Sequence, residues 1–368
     1  MVYILWKLNI NMKFKLGELF SGPGGIAAGA RNSVVELING KKFSIKHVWA
    51  NDNHEDTCKT YKKNFPEAKV FYKNVKDLVI DELQEIDCFA YGFPCNDFSI
   101  VGESKGLDGD YGGLYKYGVN VINKFNPKFF IAENVGGLTS ANGGLAMEKI
   151  IHDLQNAGKN GYDLVVHKYK FEEYGIPQAR HRIIFVGTAK KLKLNYQVPN
   201  ITHKKNFKTS KEAIEKPKIE KDAYNHEVRK LSPLVEERMK LIKPGQNIWQ
   251  TKLPKHLQLN VKGAKLSQIY KKLDPKKPSY TITGSGGGGT HGYHYKYPRA
   301  LTNRERARLQ TFQDDFEFIG KGESVRRQLG MAVSPEMAKI IFRSIFETFE
   351  KVNYSSIDAN IYDSKNKS

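Results

Sequence analysis

The sequence has few cysteines, few acidic residues and no long apolar run. Its cysteines, Cys58, Cys88 and Cys95, are too few and odd in number for a disulfide framework, which favours reduced thiols and a cytoplasmic setting. The sequence contains no Cys-x-x-Cys pair, so we expect no metal site. No apolar stretch approaches the roughly 18 residues that a membrane-spanning helix needs. These absences disfavour a secreted disulfide scaffold, a zinc-binding module and a membrane-spanning protein.

The two ends of the chain carry weak signals. Residues 2–6 are apolar but are followed by Lys7 and by no small-residue cleavage site, unlike a signal peptide. Met12 stands directly before the first strand-like segment. We therefore expect residues 1–11 to be a dispensable extension from an upstream start codon, and residues 356–368 to be a disordered tail.

Basic residues outnumber acidic ones, 59 to 39, and the excess is concentrated in one region. Residues 190–299 contain 25 lysines and arginines against 8 acidic residues. Such a density is typical of a surface that binds a polyanion, although a lysine-rich solvated surface would give the same count. Charge alone does not choose between DNA, RNA and an acidic membrane.

The first half of the chain alternates short apolar segments with amphipathic helices, which predicts an α/β fold with a doubly wound, mainly parallel sheet. Five strands are predicted, at residues 15–20, 47–51, 86–91, 129–132 and 182–187. From about Lys190 a lysine-rich, proline-punctuated second domain is expected, ending in a glycine-rich run at residues 284–290. Helix signals return with Thr302 as a predicted N-cap paired with Glu305, and with a final helix beginning at Ser334-Pro335.

A glycine-rich turn, residues 21–25, follows the first predicted strand and precedes a helix. Backbone amides and a helix N-terminus face outward at this edge of a parallel sheet, where nucleotide-like ligands bind. The turn lacks the Gly-x-Gly-x-x-Gly pattern, which disfavours a dinucleotide. Asp52, at the end of the second strand, is placed to accept hydrogen bonds from a ribose. A purely structural turn is the alternative.

Cys95 comes just past the third predicted strand, where a side chain is displayed in the cleft, and Pro94 fixes the backbone before it. A lone cysteine is ordinarily a small buried hydrophobe, an interpretation that suits Cys88 and Cys58. Glu133 occupies the matching position on the next strand, so it and Cys95 are expected to face one ligand.

Arg180 and Arg182 alternate along an extended segment and are therefore expected to point to one side. Two guanidiniums there would hold the Glu133 carboxylate or a phosphate and would favour the thiolate form of a nearby cysteine. Each residue alone could be structural. Their joint placement at strand ends indicates an active site.

These segments resemble the DNA cytosine-C5 methyltransferase family in order and spacing, over nearly the whole chain apart from residues 1–11 and the middle. Six segments carry the resemblance: residues 20–25 (Phe-Ser-Gly-Pro-Gly-Gly), 92–99 (Gly-Phe-Pro-Cys-Asn-Asp-Phe-Ser), 133–135 (Glu-Asn-Val), 178–182 (Gln-Ala-Arg-His-Arg), 299–312 and 330–333 (Gly-Met-Ala-Val).

The resemblance implies a Rossmann-like, S-adenosylmethionine-dependent fold with a smaller basic target-recognition domain. Residues 12–190 would form the catalytic domain, 191–298 the target-recognition domain, and 299–355 would return to the catalytic domain. The target cytosine would be flipped out of the duplex. Cys95 would attack its carbon 6, and Glu133 would act at ring nitrogen 3. Arg180 and Arg182 would position the Glu133 carboxylate and the base.

The resemblance also implies cofactor contacts, at Phe20, Gly22, Gly24, Gly25, Asp52, Asn53, Asn74, Val75, Pro94, Leu114 and Val333. Three positions depart from the family pattern. Asn74 stands where aspartate is frequent, Asp52 where glutamate is frequent, and Met331 where asparagine is usual. None of the three takes part in the covalent chemistry.

The implied partner is double-stranded DNA, with the glycine-rich loop and the tyrosines of residues 293–297 as candidates for DNA approach, although those tyrosines suit a small-domain core equally well. We expect a monomer that acts in the bacterial cytoplasm, at the nucleoid, with a separately encoded restriction endonuclease.

Two alternatives remain. One is a transfer-RNA methyltransferase of the same fold, disfavoured by the large basic insertion and by the absence of that branch's Cys-Phe-Thr signature. The other is a non-catalytic DNA-binding relative, disfavoured by the intact Cys95, Glu133 and Arg180.

Overall fold

The computed structural model describes residues 12–36, 42–94, 113–260, 266–284 and 288–366. Residues 1–11 and Cys95 therefore lie outside the described residues. By their contacts the described residues form two compact units. The first runs up to Tyr169, resumes at His181–Ile201 and takes up the chain again from Pro335; the second comprises Lys170–Arg180 and Thr202–Ser334.

Short strands and helices alternate along the first unit, as the periodicity predicts. The strands of the chain are β1 (Met12–Leu19), β2 (Val35–Glu36), β3 (Lys42–Asp52), β4 (Lys69–Tyr72), β5 (Cys88–Gly92), β6 (Phe129–Val135), β7 (Tyr162–Lys170), β8 (Gln178–Ala179), β9 (His181–Ala189), β10 (Val198–Pro199), β11 (Ser279–Tyr280), β12 (Ser356–Ile357) and β13 (Tyr362–Asp363). The α-helices are α1 (Gly25–Asn32), α2 (Glu55–Asn64), α3 (Tyr115–Phe125), α4 (Leu145–Gln155), α5 (Ser210–Glu215), α6 (Pro233–Leu241), α7 (Asn303–Leu309), α8 (Gly322–Met331) and α9 (Pro335–Phe349).

A nine-stranded sheet organises the first unit, in the order β13-β7-β9-β6-β5-β1-β3-β2, with β4 also paired to β3. Strands β6, β5, β1, β3 and β4 run parallel, whereas β9 is antiparallel to β6. The central strands are apolar on both faces because helices cover both, as in β5, where Cys88 to Tyr91 are all buried. The predicted doubly wound, mainly parallel sheet is confirmed.

Each of the five predicted strands has a counterpart, at β1, β3, β5, β6 and β9. The predicted capping box is also confirmed: Thr302 accepts a hydrogen bond from the Glu305 amide, and the Glu305 carboxylate accepts one from the Thr302 amide. The final helix begins at Pro335, as predicted. These features are local in sequence, which is why sequence alone predicts them.

The second unit has little regular structure. Its strands β8 and β11 form a two-residue parallel pair, and two small clusters of buried apolar side chains lie around Met239 and Leu273. Residues 299–334 group with this unit by contacts, whereas the sequence assigns residues 299–355 to the catalytic domain. The functional division of the chain therefore stays a proposal.

Residues 356–366 contain paired backbone where the sequence predicts a disordered tail. Strand β12 pairs with β10, and β13 joins the edge of the main sheet beside β7. The Asn360 side chain accepts a hydrogen bond from the Lys168 amide at 2.8 Å, and Tyr362 donates to Gln155 at 2.9 Å. Polar side chains make these contacts, so the segment has no apolar periodicity from which the sequence could predict its structure.

Candidate active site

Glu133 and Arg182 form an ion pair at the end of the central sheet. Strand β6 carries Glu133, and β9 pairs with it so that Arg182 lies opposite Val135, two residues from Glu133 and on the same face. Arg182 Nε lies 2.9 Å from Glu133 Oε1, and both side chains are largely buried. The guanidinium fixes the carboxylate, while the second oxygen, Oε2, lies beside Gly92, where an added Cβ would be 3.4 Å away.

Gly92 is the register partner of Glu133 on β5, so the strand that leads to Cys95 ends beside the carboxylate. Cys95 itself lies outside the described residues, because the described range that contains β5 ends at Pro94. The backbone segment that leads to Cys95 is contacted by Asn134, which is 1% exposed. The Asn134 amide donates to the Phe93 carbonyl at 3.3 Å, and its Oδ1 accepts from the Val135 amide at 2.8 Å.

Arg180 takes a different place from Arg182. It belongs to the second unit, is 2% exposed, and donates to three backbone carbonyls: those of Ile282 at 3.2 Å, Gly330 at 3.1 Å and Ala332 at 3.1 Å. The sequence predicts two guanidiniums that both serve the Glu133 carboxylate or a phosphate. In this structure Arg182 contacts Glu133, and Arg180 joins the segment before the glycine-rich run to the end of α8.

The predicted cofactor loop connects β1 to α1 through three residues with positive φ: Phe20 at 50°, Gly22 at 55° and Gly24 at 97°. Gly24 is sterically required, because an added Cβ would lie 2.7 Å from the ring of Phe65. At Gly22 an added Cβ would meet nothing within 4 Å, so the loop is open on that side. Gly25 begins α1 and is buried.

Asp52, at the end of β3, is joined to this loop. Its carboxylate accepts hydrogen bonds from the Gly22 amide at 3.0 Å and from the His54 amide at 3.0 Å. Burial raises the pKa of Asp52, and these backbone hydrogen bonds oppose the rise. The Asn53 amide also donates to this carboxylate. A carboxylate accepts about four hydrogen bonds, so acceptor capacity remains for a ribose hydroxyl.

The remaining predicted cofactor residues have varied surroundings. Asn53 and Asn74 are exposed, and Asn74 Oδ1 accepts from the Lys76 amide at 3.0 Å. Val75 and Leu114 are buried, whereas Pro94 is half-buried. Val333 is buried in the second unit, next to the residues that Arg180 holds, and Met331 is exposed.

Two of the three thiols are shielded, as expected from their positions. Cys58 and Cys88 are both buried. Burial, together with the nearby Asp52 charge, raises the pKa of Cys58 to about 12, and burial raises that of Cys88 well above its ordinary value. Neither is expected to form a thiolate near neutral pH, so neither is suited to act as a nucleophile.

Sequence reasoning missed the side chains that support the loop from below. Tyr61 of α2 and Phe65, which directly follows that helix, lie beside Gly24, and Tyr61 donates a 2.5 Å hydrogen bond to Glu18 of β1. Burial raises the pKa of Glu18 to about 8, while the Tyr61 hydrogen bond opposes the rise. The signal available in the sequence was an acidic residue at position 18 inside an otherwise apolar strand.

In the basic second unit, several arginines are buried, whereas most lysines are exposed. Besides Arg180, four arginines there are buried and donate to backbone carbonyls: Arg238 to Leu257, Arg304 to Tyr224, Gln313 and Phe316, Arg306 to Leu301 and His291, and Arg308 to Ile214 and Pro217. Most of the lysines of residues 190–299 are exposed. The surface charge of this region therefore comes mainly from lysine.

The tyrosines considered for DNA approach divide in the same way. Tyr293 and Tyr295 are 1% and 6% exposed and belong to the buried clusters, whereas Tyr297 is 47% exposed. Lys296 and Arg299 lie over the Tyr297 ring, 5.4 and 5.5 Å from its centroid. Only Tyr297 of the three therefore remains available for a partner.

Across the described ranges no group of three or more histidine, cysteine or acidic side chains is placed to hold a metal ion. No helix in the part of the chain that the structure describes is both long and apolar enough to span a membrane.

A mainly parallel sheet with a glycine-rich loop after its first strand and an acidic residue at the end of the next long strand defines a Rossmann-like methyltransferase fold. The C-5 cytosine-specific DNA methylase family model matches residues 14–347. The chain therefore belongs to the C-5 cytosine-specific DNA methylases.

Relatives of known kind agree with this assignment. The chain is 53% identical over 357 residues to the Type II methyltransferase M.BbvI of Brevibacillus brevis, covering 95% of each chain. It is 38% identical to the Type II methyltransferase M.NgoFVII of Neisseria gonorrhoeae, covering 94% of this chain and 90% of the relative. The solved structure of the Entamoeba histolytica methyltransferase EhMeth matches with a TM-score of 0.61 at 17% identity, covering 93% and 99% of the two chains, and supports the fold.

The protein is thus a DNA (cytosine-5-)-methyltransferase of the restriction-modification type, which transfers a methyl group from S-adenosylmethionine to carbon 5 of cytosine in DNA.

Proposed function

We propose that Cys95, Glu133 and Arg182 carry the covalent chemistry on a flipped-out cytosine. The Cys95 thiolate forms a bond to carbon 6, and the electron pair of the 5,6 double bond moves to carbon 5. Glu133 shares a proton with ring nitrogen 3, which neutralises the charge that develops there. After carbon 5 is methylated, loss of its proton and elimination of Cys95 restore the aromatic ring.

The observation that carries this proposal is the Glu133–Arg182 pair beside Gly92. A carboxylate with one oxygen fixed by a guanidinium and the other beside the strand that leads to Cys95 suits a group that shares a proton with the base. Asn134 holds the Phe93 carbonyl, two residues before Cys95, and so acts as a positioning residue. Arg180 would act at a distance, by holding the segment that leads to Val333.

The residues of the first unit fit S-adenosylmethionine. Gly22 leaves open space beside the loop, and Asp52 has acceptor capacity for a ribose. Phe20, Asn53, Asn74, Val75, Leu114 and Pro94 complete the proposed set in this unit. When bound, the cofactor supplies an electrophilic methyl group, which nucleophilic carbon 5 takes.

The finer biological setting is also a proposal. Residues 191–298 would recognise a specific duplex sequence, with exposed lysines supplying phosphate affinity and salt dependence. The protein would act as a monomer at the bacterial nucleoid and protect host DNA from a separately encoded endonuclease. The Type II methyltransferase names of its relatives support this setting.

The test uses tritiated S-adenosylmethionine with duplex DNA or transfer RNA, and compares the wild type with Cys95→Ala and Cys58→Ala. We expect label in DNA from the wild type and from Cys58→Ala, because Cys58 is shielded, and none from Cys95→Ala. Label in RNA alone would instead support the transfer-RNA alternative, and label in neither would support a non-catalytic relative.

A duplex with 5-fluorocytosine at the target base tests the covalent step directly. Fluorine cannot leave carbon 5 as a proton does, so the wild type should form an adduct that survives denaturing electrophoresis, and Cys95→Ala should not. An active enzyme that forms no adduct would contradict the assigned role of Cys95.

A further inference from the structure

His291 lies in the second unit, directly after the 3-10 turn Gly288–Thr290 that closes the glycine-rich run. Its backbone is fixed on both sides. The Gly289 carbonyl accepts from the Tyr270 amide at 2.7 Å, and the Gly292 carbonyl accepts from the Leu301 amide at 3.0 Å. The carbonyl of His291 itself accepts a 2.6 Å hydrogen bond from buried Arg306. The half-exposed imidazole is thus presented from a rigid backbone.

Charged groups from three segments act on this imidazole. Arg306 belongs to α7, Arg326 and Glu323 to α8, and exposed Arg229 to the segment before α6. Glu323, the one carboxylate of this set, is paired with Arg326. Arg229 and Glu323 are exposed and His291 is half-exposed, whereas Arg306 and Arg326 are buried. These five residues together carry a net positive charge, and we call them the His291 patch.

A positive patch on the basic unit of a DNA-modifying enzyme fits a polyanion, but the histidine in it has a distinct chemistry. Burial, and then the charges of Arg326, Arg306 and Arg229, lower the pKa of His291 to about 4. The ring is therefore neutral near pH 7 and offers one N–H donor and one nitrogen acceptor. A neutral ring gains little from a phosphate, whereas a base edge offers it both acceptors and donors.

We propose that His291 contacts a base edge in the recognition sequence and that Arg229 contacts a neighbouring phosphate. This proposal rests on duplex DNA as the substrate. Base contacts carry sequence information and phosphate contacts do not, so the two residues differ in what their loss does. Loss of His291 lowers discrimination between sequences, whereas loss of Arg229 lowers affinity for every sequence.

The experiment measures equilibrium binding of two duplexes of equal length. One holds the sequence found methylated by bisulfite sequencing of DNA from an expressing host, and the other holds the same bases shuffled. Binding is measured with S-adenosylhomocysteine present over a range of salt concentrations. The variants are His291→Ala, His291→Gln and Arg229→Gln, with Lys159→Gln as the control, because Lys159 is an exposed cation of the first unit, outside the proposed recognition region.

For His291→Ala we expect cognate affinity to fall about 5- to 100-fold, with shuffled-duplex affinity changed less than about 2-fold. His291→Gln, which keeps a neutral donor and acceptor, should recover part of the loss. Arg229→Gln should weaken both duplexes by a similar factor and reduce the salt slope by about 1, whereas Lys159→Gln should change neither the ratio of affinities nor the salt slope by as much.

Equal losses on both duplexes for both His291 variants would overturn the base contact. An Arg229→Gln salt slope equal to that of the wild type would overturn the phosphate contact. Thermal unfolding of each variant identifies a folding defect, and if His291→Ala unfolds, the comparison rests on His291→Gln. Because binding does not need Cys95, these outcomes are separate from failure of the covalent mechanism.

Discussion

At the scale of single residues, two buried asparagines donate hydrogen bonds to backbone carbonyls, one near the proposed nucleophile and one near the proposed cofactor site. Asn134 donates to the Phe93 carbonyl on the side that leads to Cys95. Asn51 donates to the carbonyls of Phe71 and Lys73, at 3.0 and 2.9 Å, on the side that leads to Asn74. Both side chains are 1% exposed, so both fix loops from within the protein.

The two asparagines should therefore have separable effects on kinetics. We expect Asn134→Ala to lower kcat about 10-fold or more with little change in KM for S-adenosylmethionine, because the nucleophile loop loses its tether. Asn51→Ala should mainly raise that KM. Each should cost about 1–3 kcal/mol of stability, because buried carbonyls lose a donor. Steady-state kinetics on both variants decide the matter, and identical kinetic profiles would contradict it.

At the scale of elements, the β1–α1 loop depends on contact between a glycine and the rings of Tyr61 and Phe65. Gly24 has no room for a Cβ, whereas Gly22, in the same loop and also at positive φ, has open space. The pair separates what the loop needs for folding from what it needs for its ligand.

Gly24→Ala should lower the stability of the protein without cofactor by about 1–3 kcal/mol, because the Cβ meets Phe65 and φ is positive. Gly22→Ala should cost only about 1 kcal/mol, the price of its backbone conformation. Both should lose the rise in Tm that S-adenosylhomocysteine gives the wild type. Thermal unfolding with and without that ligand measures both effects; an unchanged ligand-induced rise in Gly22→Ala would remove Gly22 from the cofactor site.

Local and long-range features of the elements differ in how well the sequence predicts them. Strands such as β5 and β6, the Thr302 capping box and the Glu133 position follow from local periodicity and order, and the structure agrees. The carbonyl contacts of Arg180 could not be predicted, because they join residues about 100 and 150 positions apart. Alternation along the chain predicts that Arg180 and Arg182 share a direction, but it does not predict what lies there.

At the scale of the whole molecule, net charge overstated the surface available to DNA. Several arginines of the second unit serve as donors to its own backbone, because short strands such as β8 and β11 leave many carbonyls without a ladder partner. A count of basic residues in the sequence treats these arginines as available to bind a polyanion. Because they are buried, they stabilise the fold instead, and a sequence count does not reveal burial.

The stability of the whole protein should fall on the acid side because of His47. This side chain is 2% exposed, packs against Phe65, and has its pKa lowered to about 3 by burial and by Arg31. Between pH 6.5 and pH 3 the unfolded chain binds a proton at His47 that the folded protein does not, so stability is lost as pH falls through this range.

Compared with His47→Gln, the wild type should lose about 2 kcal/mol more unfolding free energy between pH 6.5 and pH 5. Urea unfolding at both pH values measures the difference. His167, also buried with its pKa lowered to about 4, is present in both proteins and cancels. Equal pH dependence in the two proteins would contradict the role of His47.

The three carbonyls held by Arg180 have a consequence for how such enzymes diversify. Every residue type carries a carbonyl oxygen, so the anchor does not depend on which side chains stand at Ile282 or Ala332. Neighbouring positions can therefore be exchanged without loss of this attachment. A recognition segment from a relative, grafted into the proposed recognition region before Ile282, would keep the same three hydrogen bonds while presenting different side chains to the DNA.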